Sequence, residues 1–271
     1  MKRYNPTLQA NLIPGRRLLR MTASTPTTNP AAKSVDVWCL HALEESVGPT
    51  REAFARWFPD AVVDHVADYA LSADAASGAL SSDEAAERIL AMAREATGRA
   101  AGGALLYTCS AFHDAIARCR SALREEAPAL LILEPNEIAF REAASMGVPV
   151  HILVTFPPSL SSLLASFRRS HPDSAREARS HLVAGALEDL RAGRGEAHDA
   201  KVAAMAASVA RSEGKRGVVL LGQFSEARAE AVVTKALAEA RADWAVLTTP
   251  GSAVRYLRAL LSPQTSGSRE G

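Results

Sequence analysis

From residue 35 onward the chain alternates short apolar runs with longer amphipathic stretches, and the alternation repeats at a fixed offset. Apolar runs at 35–40, 61–66, 104–107, 129–133, 150–155, 217–221 and 244–248 have strand length. Stretches at 82–97, 111–126, 136–145, 175–192, 197–212, 225–242 and 252–261 carry apolar residues at helical spacing. A parallel neighbour needs a long crossover, which a helix supplies, so the pattern predicts an α/β fold with mainly parallel strands. Moving along the chain by 114 residues takes Cys109 to Gln223, His41 to Thr155 and Leu133 to Leu247. The same shift sets ALLYTCSAF over VVLLGQFSE without a gap. A repeat of this kind predicts two pseudo-symmetric parallel-sheet α/β units, with equivalent strand ends on opposite walls of one cleft. Ligands of such sheets bind at the carboxyl ends of the strands. The competing reading is chance repetition of generic βα units.

Bulk properties narrow the partners. The 271 residues allow one large domain or two smaller ones around a substantial core. Basic residues number 31 against 30 acidic, and aromatics make up 5%, which suits neither a nucleic-acid partner nor a base-stacking surface. No apolar run approaches the roughly 18 residues of a membrane span. Three cysteines, Cys39, Cys109 and Cys119, are odd in number and lack metal-ligand spacing. That usage points to a reducing compartment, the cytoplasm, and away from a disulfide framework. The first 35 residues carry six basic side chains and no acid, and 22–30 are rich in Thr and Pro, so this leader is expected to be disordered. Its composition resembles an organelle transit peptide; the plainer reading is an upstream start, with Met21 the functional one.

The segment GALLYTCSAFHDAI at 103–116 carries the chemistry. An apolar strand ends at Thr108-Cys109-Ser110 and passes into an amphipathic helix, which sets a thiol and two hydroxyls beside unpaired backbone amides. Such a terminus attracts anions and favours thiolate, so Cys109 is expected to titrate below the ordinary value of about 8.5. Cys119 shares helical spacing with Phe112, Ile116 and Leu123 and reads as core, and Cys39 lies inside the first strand. His113 stands four residues after Cys109, where it either tunes the thiol or caps the helix; His41, at the first strand's end, is expected to face the cleft. His65, His151, His171, His181 and His198 form no ligand-spaced pair, so no metal is expected. Thr108, Ser110, Thr155, Ser159, Ser225, Thr248 and Thr249 fall at strand ends or helix starts. Capping and carboxylate binding are both open to them, because both use the same orphan amides. Glu137 is either a cleft acid or an ordinary helix-start acid.

Taken together, these motifs resemble the aspartate/glutamate/hydantoin racemase superfamily. TCSAF at a strand end is similar to its first cysteine motif, TFPPSLSS at 155–162 to its carboxylate-binding turn, and LLGQFSEARA at 220–229 to its second cysteine motif. TTPGSAVRYLRALL at 248–261 resembles the segment that closes the fold, and LHAL and EPNE fit one branch of the superfamily. The resemblance implies a first domain at 35–135 plus 253–263, a second at 136–252, a basic leader at 1–34 and a disordered tail at 264–271. It also implies no cofactor, and a small carboxylate held between the domains by Thr108, Ser110, His41, Thr155, Ser159, Gln223, Phe224 and Ser225. Cys109 would be base or nucleophile, and His113 a tuning group. A homodimer is the default expectation for such an enzyme.

One departure matters. Two-base members use a cysteine from each half, and the second position here is Gln223, an amide that does not exchange a proton as a thiol does. One-cysteine chemistry remains, as in maleate isomerase or arylmalonate decarboxylase-like proteins: isomerisation, one-sided proton exchange, or decarboxylation. A non-catalytic carboxylate-binding protein is the alternative of another class.

Overall fold

The computed structural model describes residues 8–13, 16–22, 36–98, 102–214 and 216–262. Six strands form the first sheet: β1 (Leu8–Ile13), β2 (Arg16–Thr22), β3 (Val37–His41), β4 (Val63–Ala67), β5 (Ala104–Tyr107) and β6 (Leu131–Leu133), in the order β1-β2-β4-β3-β5-β6. Four form the second: β7 (Val150–Val154), β8 (Ala178–Leu182), β9 (Arg216–Leu221) and β10 (Asp243–Thr248), in the order β10-β9-β7-β8. The parallel parts, β4-β3-β5-β6 and β8-β7-β9-β10, have one plan. The 114-residue offset lays β3 to β6 on β7 to β10 in turn. The repeat is therefore architectural.

Strands buried on both faces divide their side chains by the period of two. Leu105 and Tyr107 of β5 pack with Ile89, Ile116 and Leu123 on one face. Ala104 and Leu106 pack on the other with Cys39, Phe54 and Leu257. The second sheet does the same: Val219 and Leu221 face Val202 and Val233, while Val218 and Leu220 face Phe140 and Phe167. The last helix, Thr249–Leu261, places Ala253, Val254 and Leu257 in the cluster that holds Val37 and also Phe224, so both halves share one packed seam. Thr248 Oγ1 accepts from Gly251 N at 3.1 Å and caps that helix.

Three expectations change. The stretch 175–192 is not one helix but a turn, Pro172–Glu177, then strand β8, then the short helix Ala186–Arg191. Three helices, Val47–Trp57, Ala70–Ala76 and Ser159–Ser170, stand where none is predicted, the first and last at equivalent places in the repeat. Gly48 and Pro49 in the first turn of the first and the serines of the last mask their apolar spacing. In the leader, β1 and β2 form an antiparallel hairpin, and β2 pairs antiparallel with β4 from Leu19↔Ala67 to Thr22↔Asp64. Leader composition speaks of charge, but β4 would otherwise be an open sheet edge, and a neighbouring extended segment satisfies its backbone. Residues 23–35 and the tail at 264–271 lie outside the described residues.

Candidate active site

The carboxyl ends of the two sheets meet at a cleft of about 650 Å³. Thr108, Cys109, Ser110, Ser159, Gln223, Phe224 and Ser225 all line it, so residues equivalent under the repeat form opposing walls. Gly222 makes the second wall's geometry possible. A Cβ on Gly222 would lie 2.8 Å from Ile152 Cγ2 and 2.9 Å from the Leu153 carbonyl, so any side chain there would push β9 away from β7. Asn136, in the EPNE segment, donates from Nδ2 to the Gly222 carbonyl at 2.7 Å and fixes the same strand end.

Cys109 precedes the 3₁₀ turn Ser110–Phe112, which leads into the helix His113–Glu126. It is buried, and burial raises its thiol pKa above the ordinary value, although the Ala111 N–H and the Ser72 hydroxyl pull it down. The expected depression is thus reversed. Helix-terminus effects fade within the first turn, and here a 3₁₀ turn separates the thiol from the α-helix. A single amide and one hydroxyl do not offset the desolvation of a thiolate. Burial likewise raises Cys39, and Cys119, whose thiol donates to the Ala86 carbonyl at 3.2 Å, is raised to about 11.

Gln223 is held from the other wall. Its Oε1 accepts from Thr155 N at 2.8 Å, Thr155 Oγ1 at 3.0 Å and Phe156 N at 3.1 Å. Two of these partners are backbone N–H groups, which only donate, so the amide's orientation is set by chemistry. Nε2 is left as a donor with no hydrogen bond to the described residues. Behind it, Glu226 closes a capping box with Gln223, accepting from Gln223 N at 3.3 Å. Glu226 is wholly buried, and desolvation lifts its pKa to about 8 despite bonds from Gln223, Thr155 and Gly222. Sequence reasoning missed it because helix-start glutamates are common.

Several predicted contacts lie elsewhere. Thr155 is buried and binds Gln223, so its donors face a side chain of the protein itself. His41 does not reach the cleft. It is wholly buried, with Nδ1 2.8 Å from Ser46 Oγ and 3.0 Å from Thr108 Oγ1, and Nε2 2.9 Å from His65 Nδ1. Burial, His65 and Arg51 hold its pKa well below the usual range, so it is neutral and orders two hydroxyl residues that line the cleft. His113 turns to Glu134, 3.6 Å away, and Glu137 pairs with Arg120 at 3.1 Å; neither lines the cleft.

The cleft also gathers residues that no motif marked. Tyr69 and Ser72 come from the segment after β4, and Phe156 and Leu187 from the second half. Arg191 Nε lies 3.3 Å from Glu45 Oε1 and ties the two halves across the lining. Among the described residues, no group of three or more His, Cys, Asp or Glu is placed to hold a metal ion. No helix of the described residues is long and apolar enough to cross a membrane.

Two matched parallel sheets facing each other across a strand-end cleft form a fold shared with solved racemase structures. A glutamate racemase isoform from Bacillus anthracis superposes with TM-score 0.59 and 15% identity, covering 85% of this chain and 82% of that one. Allantoin racemase from Klebsiella pneumoniae gives 0.55 and 19% over 84% and 87%. An aspartate racemase homologue from Pyrococcus horikoshii OT3 gives 0.58 and 11% over 85% and 100%. No protein-family model and no curated protein sequence matches the chain.

Proposed function

We propose that this protein is a cofactor-independent racemase/isomerase-like enzyme, acting on a small carboxylate through the single thiol of Cys109. The observation that carries the reading is the cleft itself, which sets Cys109 and Gln223 at equivalent strand ends on opposite walls. Ser110 and the amides of its turn hold a carboxylate beside the thiol. Cys109 exchanges the proton on one face of the α-carbon, and Gln223 Nε2, fixed by its bound oxygen, donates to the enediolate that forms. Fixed donors aimed at developing charge are commonly the largest catalytic term in such sites. Gln223 stores no proton, so exchange on its face is not supported. Residues 35–135 with 253–263 form one domain and 136–252 the other, and three free cysteines fit the cytoplasm.

A second reading draws on the raised thiol pKa. A protonated Cys109 is a proton donor, which suits a lyase: the C–COO⁻ bond breaks, CO₂ leaves, the electron pair passes to an enediolate, and the thiol delivers its proton to carbon. Water then reprotonates the sulfur.

Incubation with a panel of amino acids, diacids and malonates in deuterated water, followed by proton NMR, tests both. We expect exchange or isomerisation, with CO₂ release marking the lyase, and loss of each in Cys109→Ala. Turnover that survives Cys109→Ala sinks the assignment, and ligand binding without any turnover leaves a binding protein.

A further inference from the structure

The cleft's walls differ from what two carboxylates would need. We propose that it takes a monocarboxylate with an apolar body and discriminates against diacids; this rests on the proton-exchange reading of the cleft, since a substrate that loses CO₂ to leave an enediolate must carry two carboxylates. Three observations carry it. The donors of the second-half turn are already used. Thr155 N, Thr155 Oγ1 and Phe156 N converge on one oxygen, and that oxygen is Gln223 Oε1, at 2.8, 3.0 and 3.1 Å. A substrate oxygen arriving there would have to evict an amide that is also anchored through its backbone by Glu226. The turn beside Cys109 has no such internal occupant among the described residues.

Charge points the same way. Arg191 and Glu45 are the charged residues on the described lining, and they pair with each other at 3.3 Å, so the lining carries no uncompensated cation. A second carboxylate taken out of water would find no unpaired counter-charge on the described lining, and desolvation of an unpaired carboxylate is costly. Most of the remaining surface is apolar, with the hydroxyls of Ser46, Ser72, Ser159 and Ser225 set into it. Leu43, Tyr69, Phe112, Phe156, Leu187 and Phe224 present rings and branched chains from both halves. The volume, about 650 Å³, lies within the range of roughly 300–1,000 Å³ typical of small-molecule pockets.

Isosteric ligands isolate the effect. Leucine matches aspartate in shape, with an isopropyl group in place of the side-chain carboxylate, and 5-methylhexanoate matches glutarate in the same way. Dissociation constants for both pairs, using each enantiomer of the amino acids, are measured by calorimetry with wild type and with Cys109→Ala. The apolar member is expected to bind about tenfold tighter or more in at least one pair, with no preference for the diacid in the other. A ratio below about tenfold in both pairs, a diacid preference in either, or no binding by either apolar member overturns the proposal. Gln223→Ala adds an independent arm: emptying the nest should improve diacid affinity by about threefold or more, and no gain removes the argument from occupied donors. Failure here is separable from failure of the catalytic reading. A diacid preference with Cys109-dependent turnover sinks the substrate class alone. An apolar preference with turnover independent of Cys109 sinks the thiol chemistry alone.

Discussion

At the residue scale, the amide of Gln223 decides what the second wall does. Its oxygen is consumed by Thr155 and Phe156, and its nitrogen is a donor without an exchangeable store. Gln223→Cys both frees those amides and sets a thiol opposite Cys109. The expected outcome is inversion at the α-carbon, seen by chiral chromatography, where wild type exchanges deuterium on one face; exchange that stays one-sided would show that the missing thiol is not what limits the reaction. Glu226 yields a pH prediction. Its pKa is raised from 4.5 to about 8 in the folded chain, so the folded state binds the proton more tightly than the unfolded one. Stability is then lost as pH rises from about 4.5 towards 8, and flat above, by an amount on the order of a few kcal/mol. Glu226→Gln removes this slope. Urea midpoints at several pH values across that window should show the variant gaining on wild type as pH rises; parallel curves would mean the carboxyl is not protonated when buried.

At the element scale, the repeat was more informative than local propensity. Strand β8 lies inside a stretch that scores as helix, because Ala, Arg and Glu at 175–179 are good helix formers. The offset nevertheless takes β4, at 63–67, to 177–181, so the partner strand was legible once the repeat was taken literally. The short helix lengths had a different cause. The 225–242 stretch begins as the 3₁₀ turn Phe224–Ala229, because the Gln223–Glu226 box ties down its start, and only then becomes the helix Glu230–Glu239. Packing predictions belong here. Leu220, fully buried between Phe140 and Phe167 on a central strand, has no route to collapse around a void. Leu220→Ala should cost about 2–5 kcal/mol in chemical denaturation with the denaturant slope unchanged. A loss below about 1 kcal/mol would mean that the face is looser than its burial indicates.

At the scale of the whole molecule, two sheets of one plan make a cleft that neither possesses alone. The halves are joined by the seam of Thr249–Leu261 and, at the lining, by Arg191 and Glu45. That ion pair is partly solvated, so Glu45→Gln should change stability by no more than about 1 kcal/mol. Its larger effect should be on ligands: Arg191 is released, and aspartate and glutarate should bind more tightly in a titration. Unchanged diacid affinity would show that Arg191 does not sense the bound anion.

The sequence by itself determined the architecture and the address of the cleft. Strand and helix periods are local, and a repeat copies them, so two parallel α/β units and the equivalence of Cys109 with Gln223 are readable without coordinates. Tertiary structure alone decided the chemistry offered at that address. The thiol's raised pKa comes from burial, His41 turns inward to Ser46 and His65, and Gln223's oxygen is taken by residues 68 and 67 positions away. Desolvation and hydrogen bonding depend on what the fold brings alongside, and no pattern of neighbours along the chain records it.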